Sequence, residues 1–463
     1  MNRPADPSTA PARSTPPGRA PERAGLVALF AAYLVLGALY LTTVPFGHAP
    51  DEEPHLRYVR SLAAGRLPVL RMEDRAGFEA HQPPLAYLVA LPAYLVAGGR
   101  AQPEPGRAPR YAVRLVSLFL GGCVILLVWR GVRCWIPWDP AVALGAAAVA
   151  ALMPMRLAVN TSFSNDPLTE VIYCGVLLAL MAGLRSGFSR RQSLLTGVLL
   201  GLGLLTKASC MLLFPVALVA LFLSWRRRRR DARRCAANAA WMLAAGLLIG
   251  APWLARNTLL YGDPLAARAF DEFFSDRAGP EYFMTRQGLS FTEYLRYRVL
   301  PFTARSFWGV FDHMSLWMGG PADPPPPGMR PDLARRGTPD APVYTFLEWV
   351  LYLLAVGLVA GVWRWWREGP EPWQRDVALV GLLCFLMVAS AYARFNLHYF
   401  QPQARYLYAA VLPIAAAVSL GWLALWPRRA RMWAAACGAA LLAALALYAW
   451  HGTLLRVFGR VGW

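Results

Sequence analysis

LAYLVALPAYLVA, residues 85–97, is apolar throughout, but it holds only 13 residues and has Pro92 inside it. A helix that crosses a bilayer perpendicularly needs about 20. Whether this run crosses decides the sidedness of everything that follows it. Longer or nearly sufficient apolar runs lie at 25–45, 111–129, 139–157, 166–184, 193–206, 208–225, 236–255, 343–363, 376–392, 405–426 and 432–450. If 85–97 does not cross and the basic N-terminus is cytoplasmic, five arginine clusters fall inside. They are RGVR (130–133), RSGFSRR (185–191), RRRRRDARR (226–234), WRWWRE (363–368) and PRRAR (427–431). If the run crosses, all five fall outside, against the positive-inside bias. Residues 85–97 are therefore expected to lie in, or dip into, the outer interface.

The expected fold is all-α and integral to the membrane, a bundle of about eleven transmembrane helices with juxtamembrane helices in its first large outer loop. Composition agrees. Hydrophobic residues make up 57% of the 463-residue chain and charged residues 16%, against about 25% charged in soluble domains. The net charge of +20 does not indicate nucleic acid, because the arginines cluster at the ends of apolar runs. The cysteines at 123, 134, 174, 210, 235, 384 and 437 form no CxxC pair and indicate neither zinc nor a disulfide framework. Residues 1–23, rich in Pro, Ala, Arg and Ser, read as a disordered cytoplasmic tail. The run after it is too long for a signal-peptide core and is expected to be retained as a first helix. Residues 24–463 then form one polytopic domain, with outer loops at about 46–110 and 256–342. The second loop holds the aromatic stretch FTEYLRYRVLPFTARSFWGVF (291–311), suited to the headgroup region, and PADPPPPGMRPD (321–332), expected to be a mobile loop.

The outer side carries the chemistry-bearing residues. FGHAPDEEPHLRYVRSLAAG (46–65) follows the first helix directly. Asp51 suits an N-cap, Glu52 and Glu53 a helix start, and Pro54 a first turn. Leu56, Val59 and Leu62 recur at helical spacing, and Gly65 can end the element. Asp51 and His55 are four apart and can face one cavity. His81 opens HQPPLAYL (81–88), and NTSFSND (160–166) places Asp166 at the mouth of the fourth helix. Lys207, the only lysine among 47 basic residues, sits in a tight outer turn. Arg256 begins RNTLLYGDPL (256–265), which also holds Tyr261, and Arg405 lies in QARYLY (403–408). For each of these residues a plain role is available: capping for the acids and snorkelling toward headgroups for the cations. Their collection on one side points further. A carboxylate can take a proton from a hydroxyl nucleophile, and fixed cations can stabilise a departing phosphate. No P-loop or dinucleotide-binding glycine pattern is present, which fits a donor other than a nucleotide sugar.

DEEPH after helix one, HQPPL, the ND after helix three, the lysine after helix five and RNTLLYGDPL together resemble the GT-C membrane glycosyltransferases. The likeness is to the branch with protein O-mannosyltransferases and aminoarabinose transferases, and covers about 25–264, with RYLYAAVLP (405–413) adding to it. The resemblance implies a hexosyl- or pentosyltransferase that moves a sugar from a polyprenyl-phosphate donor to a glycan, lipid or protein acceptor. Transfer would be inverting, on the outer face of the plasma (inner) membrane. Asp51 would be the general base. Glu52, His55, His81, Asp166, Lys207, Arg256, Tyr261 and Arg405 would contact substrate, with Lys207 on the donor phosphate. A divalent metal, Mg or Mn, is left open as a cofactor. Two rivals remain at this stage. A lipid-linked-sugar flippase would use ionisable residues in helix centres and repeated halves, whereas the sequence displays no internal repeat and no Asp or Glu in helix centres. For a non-catalytic assembly subunit the outer charges need not converge.

Overall fold

Proline placement and apolar run length shape the bundle seen in the computed structural model, which describes residues 19–71, 79–100, 105–229, 231–320 and 341–459. The first half comprises α1 (Arg19–Thr43), α2 (Glu52–Ala63), α3 (Leu85–Val96), α4 (Arg107–Trp135), α5 (Pro140–Leu152), α6 (Pro154–Asn160) and α7 (Asp166–Ser186). It continues with α8 (Arg190–Leu204), α9 (Leu213–Arg228) and α10 (Ala232–Tyr261). Short helices follow: α11 (Ala267–Phe273), α12 (Pro280–Gln287), α13 (Phe291–Tyr294) and α14 (Leu300–Trp308). The chain ends with α15 (Pro342–Arg367), α16 (Pro372–Asn396), α17 (Val411–Ala424), α18 (Arg431–Ala449) and α19 (Arg456–Phe458). Two 3₁₀ turns matter below, Ala208–Leu212 before α9 and Ala404–Ala410 before α17.

Among the described residues, nine helices are long and apolar enough to cross a membrane, or ten if α5 and α6 count as one broken span. Those two meet at 59°. Pro154 explains the break: it disfavours the helical region for Met153, which is extended at φ −64° and ψ 124°. Helix α8 has only 15 residues, roughly 22 Å at 1.5 Å per residue. It nevertheless runs from one end of the bundle to the other. At its start Asn238 donates to the Phe188 carbonyl, and just past its end the Leu205 carbonyl accepts from Leu85 N–H.

The arginine clusters gather at one end. There Arg133 pairs with Glu22 at 2.8 Å, Arg431 with Asp139 at 2.5 Å, and Arg227 with Asp376. Helix α3 stays at the opposite end, where Tyr87, Ala90 and Tyr94 pack with Leu56 and Val59 of α2 and Val113 of α4. Residues 19–23, placed in the expected tail, belong to a helix. Helix α1 begins at Arg19, and Glu22 is buried because Arg133 and the Trp129 indole donate to it. Residues 1–18 and the proline-rich stretch 321–332 lie outside the described residues.

Helix α5 forms the centre of the core, buried along almost its whole length, because its many alanines let α1, α4, α17 and α18 approach closely. Helices α15 and α17 touch backbone to backbone: a Cβ on Gly357 would stand 2.1 Å from the Gly421 carbonyl oxygen. The aromatic stretch 291–311 supplies α13 and α14 and then enters a two-stranded antiparallel pair, β1 (Val310–Phe311) on β2 (Leu316–Trp317), with Val310 opposite Trp317.

Candidate active site

Asp51 occupies the N-cap position of α2, yet its side chain makes no capping bond. Its backbone is left-handed, with φ 63°, a region that aspartate enters more readily than most residues. The carboxylate accepts instead from Arg405 Nη2 at 2.8 Å. The next residue, Glu52, is 1% exposed and faces the other way. Arg114 grips it at both oxygens, each at 2.7 Å, and Gly47 and Phe163 N–H donate to it as well. Arg114 also donates to the carbonyls of Leu41, Val44 and Pro45. Glu52 thus ties α2 to the ends of α1 and α4 and to the turn before α7, and leaves Asp51 to face a cavity.

That cavity has a volume of 440 Å³ and is lined by Asp51, His55, His81, Asp166, Lys207 and Arg405 of the sequence-derived set. Asp166 is the first residue of α7, with Asn165 at the cap position, so it is not the cap either. Its carboxylate accepts from Lys207 Nζ at 2.5 Å, and Arg405 Nη1 stands 3.9 Å away. Arg405, 6% exposed, is oriented by Gln403 at 2.7 Å and lies over the Tyr406 ring. Asp51, Arg405, Asp166 and Lys207 therefore form one alternating chain of charge. His55 Nδ1 lies 2.9 Å from the Tyr87 hydroxyl and 3.9 Å from Glu79. His81 packs edge-on against Phe270.

Burial pushes the Asp51 carboxyl up, but the Arg405 guanidinium and His55 outweigh it and hold Asp51 below the usual carboxylate range. Burial pushes His55 down, against Glu79 and Asp51, so the imidazole is neutral at pH 7. Burial also raises Glu79. For Lys207, burial favours the neutral amine, and the Asp166 carboxylate overrides it to keep the ammonium.

The structure does not bring Glu52, Arg256 or Tyr261 into the cavity lining. Arg256 donates to the Pro68 carbonyl at 2.6 Å, and the Tyr261 hydroxyl accepts from Leu70 N–H at 2.9 Å. Both hold the stretch after α2 against the end of α10. Conversely, the lining contains Glu79, Gln82, Asn165, Glu170, Arg277 and Tyr406, which sequence reasoning missed. Glu79, Gln82, Asn165 and Tyr406 adjoin flagged residues, a signal that was available. Arg277 carries no local signal. Glu170 lies one turn into α7, near its start and away from its centre.

The donor set does not fit a divalent ion as it stands. The Asp51 and Asp166 carboxylates are each held by a cationic side chain, and no group of three or more His, Cys, Asp or Glu among the described residues is placed to hold a metal.

Residues 106–255 match the family described as dolichyl-phosphate-mannose-protein mannosyltransferase. No curated protein matches the chain. Among solved structures, the oligosaccharyltransferase of Archaeoglobus fulgidus, in a complex with Zn and sulfate, superposes with a TM-score of 0.50 at 14% identity. That match covers 90% of this chain but only 53% of the archaeal one, so the chain spans about half that enzyme's length. ArnT from Cupriavidus metallidurans, bound to undecaprenyl phosphate, gives a TM-score of 0.39 at 16% identity, over 85% of this chain and 76% of that one. The Pmt1–Pmt2 protein O-mannosyltransferase of S. cerevisiae, bound to its sugar donor, gives 0.38 at 17% over 59% and 37%. The chain has the fold of the GT-C membrane glycosyltransferases, and its central segment, 106–255, matches a mannosyltransferase family of that kind.

Proposed function

We propose that this protein transfers a sugar from a polyprenyl-phosphate donor to a hydroxyl-bearing acceptor on the outer face of the membrane, with inversion at the anomeric carbon. One observation carries the reading: Asp51, Asp166, Lys207 and Arg405, which come from four separate stretches of sequence, converge on a single cavity. A dispersed set would have favoured an assembly subunit.

The chemistry follows from the charges. The acceptor oxygen attacks the anomeric carbon as its proton passes to the Asp51 carboxylate. The bond from the anomeric carbon to the phosphate oxygen breaks, and polyprenyl phosphate leaves with the electron pair. Lys207 and Arg405 meet the added negative charge. Before the donor arrives, these cations are neutralised by Asp166 and Asp51. A phosphate drawing Arg405 toward itself loosens the hold on Asp51 and makes that carboxylate a stronger base. Asp166 keeps Lys207 charged and in place, and His55 and His81 shape the cavity walls. The acceptor, whether glycan, lipid or protein, approaches past Phe270, Phe274 and Arg277.

The test is transfer by the full-length protein in lipid nanodiscs, using radiolabelled polyprenyl-phosphate hexoses and pentoses with membrane extract as acceptor. Label moving out of the donor, with release of polyprenyl phosphate, is the expected result. An intact donor across the whole panel overturns the reading.

A further inference from the structure

The cavity does not end at Asp166. It continues one turn deeper along α7 to Glu170, which also lines it. Four residues of helix advance about 6 Å, comparable to the reach of a sugar ring beyond the phosphate that Lys207 would bind. Glu170 is 2% exposed. One carboxylate oxygen accepts from Arg156 of α6, itself fully buried. The other oxygen, Oε1, is buried without a hydrogen-bond partner. Buried polar atoms almost always have partners, and leaving one without is costly.

The neighbouring groups show what kind of partner suits this floor. The Thr169 hydroxyl donates to the Asn165 carbonyl, and the Tyr173 hydroxyl donates to the Ser209 carbonyl. Both hydrogens are spent on backbone. On the wall, Glu79 Oε2 is likewise buried and has no hydrogen-bond partner. The floor therefore offers acceptors, and it suits a ligand that brings donors. Beyond the phosphate that Lys207 and Arg405 would hold, the further acids Glu79 and Glu170 disfavour a second anionic group on the ligand.

We infer that Glu170 reads the sugar of the donor, its Oε1 accepting a hydrogen bond from a ring hydroxyl or ammonium while Lys207 and Arg405 hold the phosphate, so that neutral and amino sugars are accepted and uronic acids refused. The inference rests on the transfer reaction proposed above. The Arg156 pair fixes the rotamer of Glu170 and so aims its free oxygen. Glu170 acts on the sugar and leaves the lipid phosphate to the cations at the mouth.

The experiment compares wild type with Glu170→Gln in nanodiscs. The amide keeps an oxygen for Arg156 and turns an NH₂ donor into the cavity. Expected is a fall in kcat/KM for the sugar donor of about 10- to 100-fold, the worth of one hydrogen bond to a charged group. Affinity for free polyprenyl phosphate should be unchanged. A purely structural Glu170 would weaken both, and that result overturns the inference, as does full activity in the variant. A second arm needs no variant: in a deoxy series of the accepted donor, removal of one particular hydroxyl should cost wild type that same factor. Indifference at every position, or uronic donors transferred as well as neutral ones, overturns the assignment. No transfer from any donor by wild type is a distinct result and removes the underlying reaction instead.

Discussion

Arg405 Nη2 donates to Asp51 Oδ2 at 2.8 Å across 354 positions of sequence, and the same guanidinium stands 3.9 Å from Asp166. This single contact joins the segment after the first helix to the turn before α17. It places a carboxylate and a guanidinium side by side at the cavity.

Asp51→Asn keeps the shape and tolerates the left-handed backbone at this position, but its amide cannot take a proton. Transfer should fall by about 10²–10⁴-fold while the unfolding temperature stays near wild type. Turnover close to wild type with the correct donor would show that Asp51 is not the base.

Lys207→Ala should remove about 2.7–4 kcal/mol of transition-state stabilisation, as other deleted charge-stabilising donors do. Lys207→Arg should recover only part, because the guanidinium fork is broader than an ammonium and the turn is tight. Transfer rates at matched membrane levels decide the point. Full activity of the Arg variant would mean that any cation paired with Asp166 serves at this position.

Glu52→Ala leaves Arg114 buried without its carboxylate, and breaking such a pair typically costs about 3–5 kcal/mol. Much less folded protein, or a sharply lower unfolding temperature in detergent, is expected. A stable Glu52→Ala protein with selective loss of donor affinity would place Glu52 in the site instead.

His55 is held neutral, below its ordinary value of about 6.5. Between its folded value and about 6.5 the unfolded chain binds more protons, so stability there rises with pH and falls on acidification. The Asp51 contribution has the depressed-carboxylate sign: it is present above about 3.9 and lost only as pH drops through the lower folded value. Thermal stability should therefore begin to fall as pH drops below about 6.5, and His55→Gln should flatten that part of the profile. An unchanged profile in the variant would assign the titration to another group.

Reporter fusions at Arg228, in the arginine-rich end, and at Gly288, in the loop after α12, should report opposite sides, with Arg228 cytoplasmic. A cytoplasmic signal at Gly288 would place the cavity on the wrong face for the proposed reaction.

Run lengths and arginine clusters determined, from sequence alone, the membrane class and the ends at which each cluster lies. Hydrophobic runs must span the bilayer and guanidinium groups must leave it, and both are local requirements. The same logic placed Asp51, Asp166, Lys207 and Arg405 at one end, since each sits at the boundary of a run. Tertiary structure alone decided which of these side chains share a cavity. Glu52 follows Asp51 directly, but Asp51 is a left-handed cap residue and Glu52 the first helical one, so their side chains leave in different directions; Arg114, 62 residues away, took Glu52 into the core while Arg405 took Asp51 into the site. Arg256 and Tyr261 were drawn to the backbone at Pro68 and Leu70, and Arg277 reached the cavity from a loop with no periodicity to announce it. Glu170 escaped for a related reason. An acid one turn inside an apolar helix is tolerated only with a buried partner, and Arg156, in the short helix that the proline break turns away from α5, becomes that partner only when α6 and α7 fold together.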